Sequence, residues 1–362
     1  MSADADAIVV GAGICGASAA FELAERGLDV LLLDRGAVSS GTTGLGEGNV
    51  LVCDKPPGAE RDLAILGRDL WTELGHRFPE ARVTRKGALL LREGSDLPFA
   101  HSPVCEASSA REPALASDVS AVLEPGDLQV DPAGLTRALA ARVRLREHAR
   151  VAAIDPGAVV LDDGARLTCE HVVVATGPWA GELTGLPVEP RKGQLVALAA
   201  PRDLIRHKLV EASYVDAVAG PGDALLIASV IEQTLDGDEV LIGSSRERVG
   251  FEATINESTT RALLDRAARF VPALKHLPVT RTWCGFRPWL PDGLPAIGPV
   301  GDGVWTTTGH EGAGVGLGPI SGRLLAQLIC GEPPAIDPAP FDPRRCSPTG
   351  AVRSGSAHAP GR

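Results

Sequence analysis

Residues 8–34, IVVGAGICGASAAFELAERGLDVLLLD, set Gly11, Gly13 and Gly16 at a fixed spacing between two apolar runs and end in an acid, Asp34. Each of these residue types meets a need of a bound pyrophosphate and ribose. Gly11 allows a tight turn after the first strand, Gly13 lets the backbone approach the phosphates, and Gly16 lets the following helix pack close to the sheet. The amides of Ile14 and Cys15 at the helix start face the same phosphates. Asp34 accepts the ribose hydroxyls and repels the extra phosphate of NADP, which leaves FAD or NAD. Arg35 follows it directly, a pairing typical of FAD enzymes, so FAD leads. The glycines alone would also suit an empty turn; the flanking strands, Ala20, Gly27 and the terminal acid make it a dinucleotide site.

Three further segments carry candidate cofactor contacts. Residues 39–52, SSGTTGLGEGNVLV, form a glycine-rich loop feeding an apolar strand, and Gly41, Thr42, Thr43, Gly46, Gly48 and Asn49 can lie flat against a large planar ligand. Residues 172–183, VVVATGPWAGEL, bring Thr176, Gly177 and Trp179 to the end of a buried strand, with Val151 placed alongside them. Residues 309–315, Gly309, His310, Glu311, Gly312, Ala313, Gly314 and Val315, lead into the last helix. Free amides at that N-terminus would put partial positive charge beside a flavin pyrimidine and stabilise the reduced ring. His310 can be a general base or a structural hydrogen bonder. Tyr214, the only tyrosine, suits substrate contact or half-buried packing.

The elements that must position these residues follow from periodicity. A helix is expected over 60–77, where Leu63, Leu66, Leu70 and Leu74 recur at helical spacing ahead of Pro79. A strand is expected over 87–92, a helix over 131–146 begun by Asp131 and Pro132, and a buried strand over 171–177. Between 191 and 286 the pattern turns to strands joined by turns, among them 224–229 and 239–245, with a helix over 259–270. Gly-rich strands return from 285, and a last helix spans 319–330. The tail 346–362 is small and polar and is read as disordered.

The resulting fold class is α/β: a discontinuous Rossmann-like FAD-binding domain from 1–83, 132–190 and 287–345, with an inserted α+β antiparallel-sheet substrate domain from 84–131 and 191–286. Such an arrangement buries the reactive ring where the two domains meet. With 362 residues, 44% of them hydrophobic, the chain can bury an ample core. A formal charge of -11 argues against nucleic acid or an anionic membrane as partner. No apolar run reaches the roughly 20 residues of a membrane span, the first strand begins too early for a signal peptide, and a cytoplasmic location is expected. The seven cysteines lack CxxC spacing and read as reduced thiols, with no metal-ligand set.

The chain resembles the flavin-dependent amino-acid and amine oxidoreductases of the D-amino-acid oxidase superfamily over roughly residues 7–341. Four blocks carry the likeness: GAGICG through Asp34, SSGTTGLGEGN, VVVATGPWAGEL, and GFRPWLPDGLPAIGP followed by GHEGAGVGLGP. The resemblance implies that Arg287, in the GFRP segment, holds a substrate carboxylate, as the matching arginine does in glycine oxidase. A guanidinium grips both oxygens at once. The alternative is an ion pair of Arg287 with Asp292. Glycine oxidase-like proteins carry a second arginine where this chain has Gly312, so that subsite differs. GHEG, GQL at 193–195 and the QT...IGSSRE strand at 233–247 instead resemble flavin subunits of multicomponent dehydrogenases acting on D-hydroxyproline, opines and glycine. Sarcosine oxidase-like members link FAD to a cysteine near here; the linking position aligns with Gly285, so Cys284 reads as a buried thiol and the FAD as non-covalent.

These resemblances imply hydride transfer from an amine-bearing carbon to FAD, giving an imine. The substrate would be a small amino acid, imino acid or secondary amine, and the partners subunits bearing iron-sulfur and further nucleotide sites. A free-standing oxidase making peroxide is the first rival. The strand 239–245 lacks the lysine that sarcosine oxidase-like enzymes use to activate oxygen. The second rival, from another class, is a flavin-binding partner subunit without turnover.

Overall fold

The first βαβ unit forms because its apolar runs fit a strand buried on both faces and its helix is alanine-rich and almost wholly sequestered. In the computed structural model, which describes residues 3–93, 111–213 and 225–346, β1 (Ala7–Val10) and β2 (Val30–Leu33) pair in parallel with Ile8 opposite Leu31. Helix α1 (Ile14–Glu25) joins them. The six-stranded sheet built on this pair runs β17 (Ala296–Gly301), β18 (Val304–Thr308), β11 (His171–Val174), β1, β2, β7 (Arg144–Arg146). It is parallel throughout except for the antiparallel edge pair β17/β18.

The expected helix over 131–146 is corrected. Helix α4 (Pro132–Ala140), capped by Asp131 Oδ1 on the Gly134 amide at 2.8 Å, stops six residues short. Beyond it Arg142, Arg144 and Arg146 alternate with Val143 and Leu145, the period of two of a strand, and 144–146 become edge strand β7 beside β2. The last helix is corrected in the other direction. Helix α7 (Gly314–Ile329) begins five residues before Pro319. Proline has no amide to give the carbonyl four residues back. That carbonyl, Val315 O, instead accepts the Trp71 indole N–H at 2.9 Å, from α3 (Ala59–Arg77). Helices α1 and α7 cross closely at Gly322, where a Cβ would lie 2.6 Å from Ala19 N.

A seven-stranded sheet runs β16 (Val279–Trp289), β12 (Glu189–Ala199), β15 (Glu239–Arg246), β14 (Leu226–Gln233), β13 (Lys208–Glu211), β4 (Ala88–Glu93), β5 (Val119–Glu124). It is antiparallel as expected, apart from the parallel pair β13/β4. Helix α6 (Glu257–Phe270) covers one face through Leu263, Ala267 and Phe270. Strand β16 runs through to Trp289, so Arg287 belongs to this sheet rather than opening the next segment of the nucleotide domain. The glycine-rich loop holds a short helix α2 (Thr42–Leu45) and leads to β3 (Asn49–Val50), which pairs with β6 (Leu128–Gln129). A small sheet, β8 (Val151–Asp155), β9 (Ala158–Leu161) and β10 (Arg166–Thr168), and a short helix α5 (Ala180–Thr184) complete the nucleotide half. Among the described residues no helix is long and apolar enough to cross a membrane. Tyr214, Cys105 and residues 347–362 of the tail lie outside the described residues.

Candidate active site

A cavity of about 830 Å³ runs from Asp34 and Arg35 at one end, past the starts of α1 and α7, to Arg287 and the seven-stranded sheet at the other. Gly11 has φ +108 and a Cβ there would meet Ala175 O at 2.5 Å, so only glycine makes this turn. Asp34 Oδ2 accepts the Ala12 amide at 2.6 Å and Oδ1 the Gly36 amide at 2.7 Å, which fixes the carboxylate beside the glycine turn. The helix-start amides are not all free, because Ile14 N–H donates to Thr43 Oγ1 at 3.0 Å. Thr43 therefore caps α1 from the glycine-rich loop, while Thr42 Oγ1 donates to Phe286 O at 2.6 Å and ties that loop to β16.

Of the expected cofactor residues, Gly11, Gly13, Ile14, Cys15, Asp34, Arg35, Gly41, Thr42, Thr43, Gly46, Asn49, Val151, Thr176, Gly177, Trp179, His310, Glu311, Gly312, Gly314 and Val315 line the cavity. Gly48, Gly309 and Ala313 do not line it, and neither does Gly16, which makes the close backbone approach expected of it. Gly16 and Gly48 press on backbone, with a Cβ 1.8 Å from Gly11 O and 1.9 Å from Val130 O respectively, and Gly309 abuts Leu290. Ala313 is partly buried and packs against the core. They shape the wall from behind.

Trp179 is sandwiched between the Arg35 guanidinium, 3.7 Å from its ring centre, and the Phe251 ring stacked at 4.9 Å. His310 is buried, with Nε2 sharing a 3.0 Å hydrogen bond with Ser321 Oγ and Nδ1 lying 3.8 Å from Cys15 Sγ. Burial lowers its pKa to about 4. Both ring nitrogens thus have a partner, and the lowered pKa leaves the imidazole neutral at pH 7.

Arg287 stands at the sheet end. Its Nη1 donates to Ser245 O at 3.0 Å, and its guanidinium lies over Gly193, where a Cβ would fall 2.2 Å from Nη1. Asp292 pairs with Arg345 instead, at 2.6 Å. Nearby, Glu311 sits in the left-handed region at φ 46 and accepts Arg246 Nε at 3.0 Å, with Arg191 Nη1 at 3.6 Å. Burial alone would raise its pKa; Arg246, Arg287 and Arg191 outweigh that and hold it at about 2. Glu311 is thus an anion pinned among guanidiniums. Cys284 is corrected from a buried thiol: it is half-exposed, and its thiol donates to Ala253 O at 3.3 Å. Gly285, not Cys284, lines the cavity.

The residues fit a flavin dinucleotide. Ser39 Oγ, Thr176 Oγ1 and Thr307 Oγ1 all line the cavity as buried hydroxyls without a hydrogen-bond partner, the condition a polar ligand relieves. Periodicity could not single out Ser39, Glu47, Leu195, Ser244 or Thr307, because each reaches the cavity through contacts distant in sequence.

The comparisons with known proteins agree with this architecture. A family model described as FAD dependent oxidoreductase matches residues 6–328. Glycine oxidase of Pseudomonas aeruginosa is 32% identical, across 93% of this chain and 98% of that protein. Hydrogen cyanide synthase subunit HcnC of the same species is 33% identical across 53% of this chain and 44% of its own. Among solved structures, glycine oxidase from Geobacillus kaustophilus superposes with a TM-score of 0.83 at 27% identity, covering 94% of this chain and 98% of that one.

Proposed function

The chain belongs to the FAD dependent oxidoreductase family, and from that premise we propose that it oxidises the carbon–nitrogen bond of a small amino acid, imino acid or secondary amine bearing a carboxylate. The observation that carries this reading is Arg287, whose guanidinium faces the sheet end of the cavity over Gly193. FAD, when bound, supplies the hydride acceptor. Asp34 would hold its ribose, the starts of α1 and α7 its phosphates and pyrimidine, and Ser39, Thr176 and Thr307 its remaining polar edges. We read the cofactor as non-covalent, since Gly285 stands at the linking position and the Cys284 thiol is engaged elsewhere.

Arg287 fixes the substrate carboxylate by two parallel hydrogen bonds and so orients the amine-bearing carbon. The amine must be deprotonated, because an ammonium has no lone pair to assist the departing hydride. The imine product is hydrolysed by water or persists in a ring. Anaerobic titration of the bound flavin with glycine, sarcosine, D-amino acids, D-proline derivatives, iminodiacetate and opines tests the reading. Bleaching by at least one is expected; bleaching by none would leave a flavin-binding partner subunit.

For the electron acceptor we propose a partner protein, on the likeness of GHEG, His310–Gly312 with Gly309 before it, to multicomponent dehydrogenases. Among the described residues no three His, Cys, Asp or Glu gather as a metal site, so a cluster would belong to the partner. A second reading, a free-standing oxidase, is favoured by the full-length match to glycine oxidase. Purified chain that reduces a dye much faster than oxygen supports the partner; peroxide formed at the rate of dye reduction supports the oxidase.

A further inference from the structure

Glu47, in the loop between α2 and β3, lines the cavity with a side chain only 8% exposed. Its Oε2 accepts Asn49 Nδ2 at 2.6 Å and Lys208 Nζ at 3.2 Å, while Oε1 is buried without a hydrogen-bond partner. Lys208 is itself buried and also contacts Glu232 Oε2 at 2.8 Å and Asn49 Oδ1. Burial works against its charge, but Glu232 and Glu47 raise its pKa above the ordinary lysine value, so it is an ammonium. One lysine is therefore shared by two carboxylates, and Glu47 keeps an oxygen with nothing to satisfy it. A buried carboxylate oxygen without a donor is costly unless a ligand completes it.

Its position says which ligand group. A Cβ on Gly243 would lie 2.5 Å from Glu47 Oε1 and 3.5 Å from Leu195 Cδ2, and a Cβ on Gly193 would lie within 2.5 Å of the Arg287 guanidinium. Gly193 and Leu195 are alternate residues of β12, so they share a face, about 7 Å apart along the strand. Carboxylate and guanidinium thus stand over the same sheet face with an offset that one small amino acid can bridge, anion to Arg287 and cation to Glu47.

We propose that Glu47 is the residue that receives the substrate amine: Oε1 accepts a hydrogen bond from the ammonium and then takes its proton. The N–H bond breaks with its electron pair left on nitrogen, and an O–H bond forms at Oε1. The freed lone pair assists departure of the hydride to the flavin. The inference rests on the reading of Arg287 as the carboxylate site, and it makes Glu47 a catalytic residue.

The test uses the flavin-loaded protein and two ligands of one skeleton. These are 2-aminoisobutyrate, which has no hydrogen on its amine-bearing carbon and cannot be oxidised there, and isobutyrate, which lacks the amine. Binding is read from the shift in visible flavin absorbance. Glu47→Gln, of nearly the same shape, is expected to weaken 2-aminoisobutyrate roughly ten- to a hundred-fold, the scale of a lost charge-assisted hydrogen bond, with isobutyrate changed about two-fold or less. If Glu47→Gln does not hold flavin, Glu47→Asp must show the same selective loss in smaller degree. Equal loss of both ligands, or loss of neither, overturns the proposal. Isobutyrate binding that survives Arg287→Lys undiminished, or wild-type protein that binds neither ligand, overturns the Arg287 reading and this proposal with it.

Discussion

Gly193→Ala probes Arg287 without touching its charge. The new methyl would lie 2.2 Å from Nη1, 2.4 Å from Nη2 and 2.5 Å from Cζ, where ordinary contact needs about 3.5 Å. The obstacle is the tip of a flexible side chain and not backbone, so the guanidinium withdraws by about 1 Å and β12 stays where it is. Stability should change by less than about 1 kcal/mol. The bond from Nη1 to Ser245 O and the two-pronged grip on a carboxylate are lost with that movement. A charged hydrogen bond is worth about 1.5–3 kcal/mol, which corresponds to a roughly ten- to 150-fold fall in kcat/KM. The assay is stopped-flow bleaching of the flavin under nitrogen, comparing a carboxylated amine such as sarcosine with its counterpart lacking the carboxylate, dimethylamine. The carboxylated amine should lose its advantage and the simple amine should be unaffected. An equal fall for both, or no fall at all, would refute the placement of the carboxylate over Gly193.

Arg287→Lys should cost carboxylated substrates about ten-fold or more in kcat/KM while FAD content stays constant. Protein precipitated with acid should leave yellow FAD in the supernatant; colour held in the pellet would show a covalent link. Lys208→Met strands Glu47 and Glu232 against each other in the interior, and a loss of about 3–5 kcal/mol is expected in urea melts of the flavin-loaded protein. His310 has a folded pKa of about 4 against an ordinary 6.5, so as pH falls through that interval the unfolded chain takes up the proton and the folded one does not. Wild type should therefore lose about 3 kcal/mol between pH 6.5 and 4 that His310→Gln does not lose. Parallel pH–stability curves for the two would contradict this burial.

The sequence by itself determined the features that rest on local spacing. The turn at Gly11, the helix after it and the acid at Asp34 are all encoded within one βαβ unit, and the leucines of α3 and the strands β4, β14 and β15 are legible from period alone. Arg287 and the GHEG turn were marked by block likeness, and both came to one cavity. Where periodicity fails, two local signals compete. Arginines in 142–146 alternate as a strand but continue a helical stretch, and Pro319 looks like a helix start until the Trp71 indole is found replacing its missing amide bond. Only the tertiary structure decided which polar atoms face one another. Glu47 reads as a loop residue and Lys208 as one strand charge among many; folding brings the two, 161 residues apart, into contact at the cavity. Likewise Glu311 becomes a pinned anion because β12, β15 and β16 bring Arg191, Arg246 and Arg287 to it. Backbone conformation is settled by neighbours in the chain, whereas the ionisation and the unpaired hydrogen bonds of a site are settled by burial and by groups that only folding brings within reach.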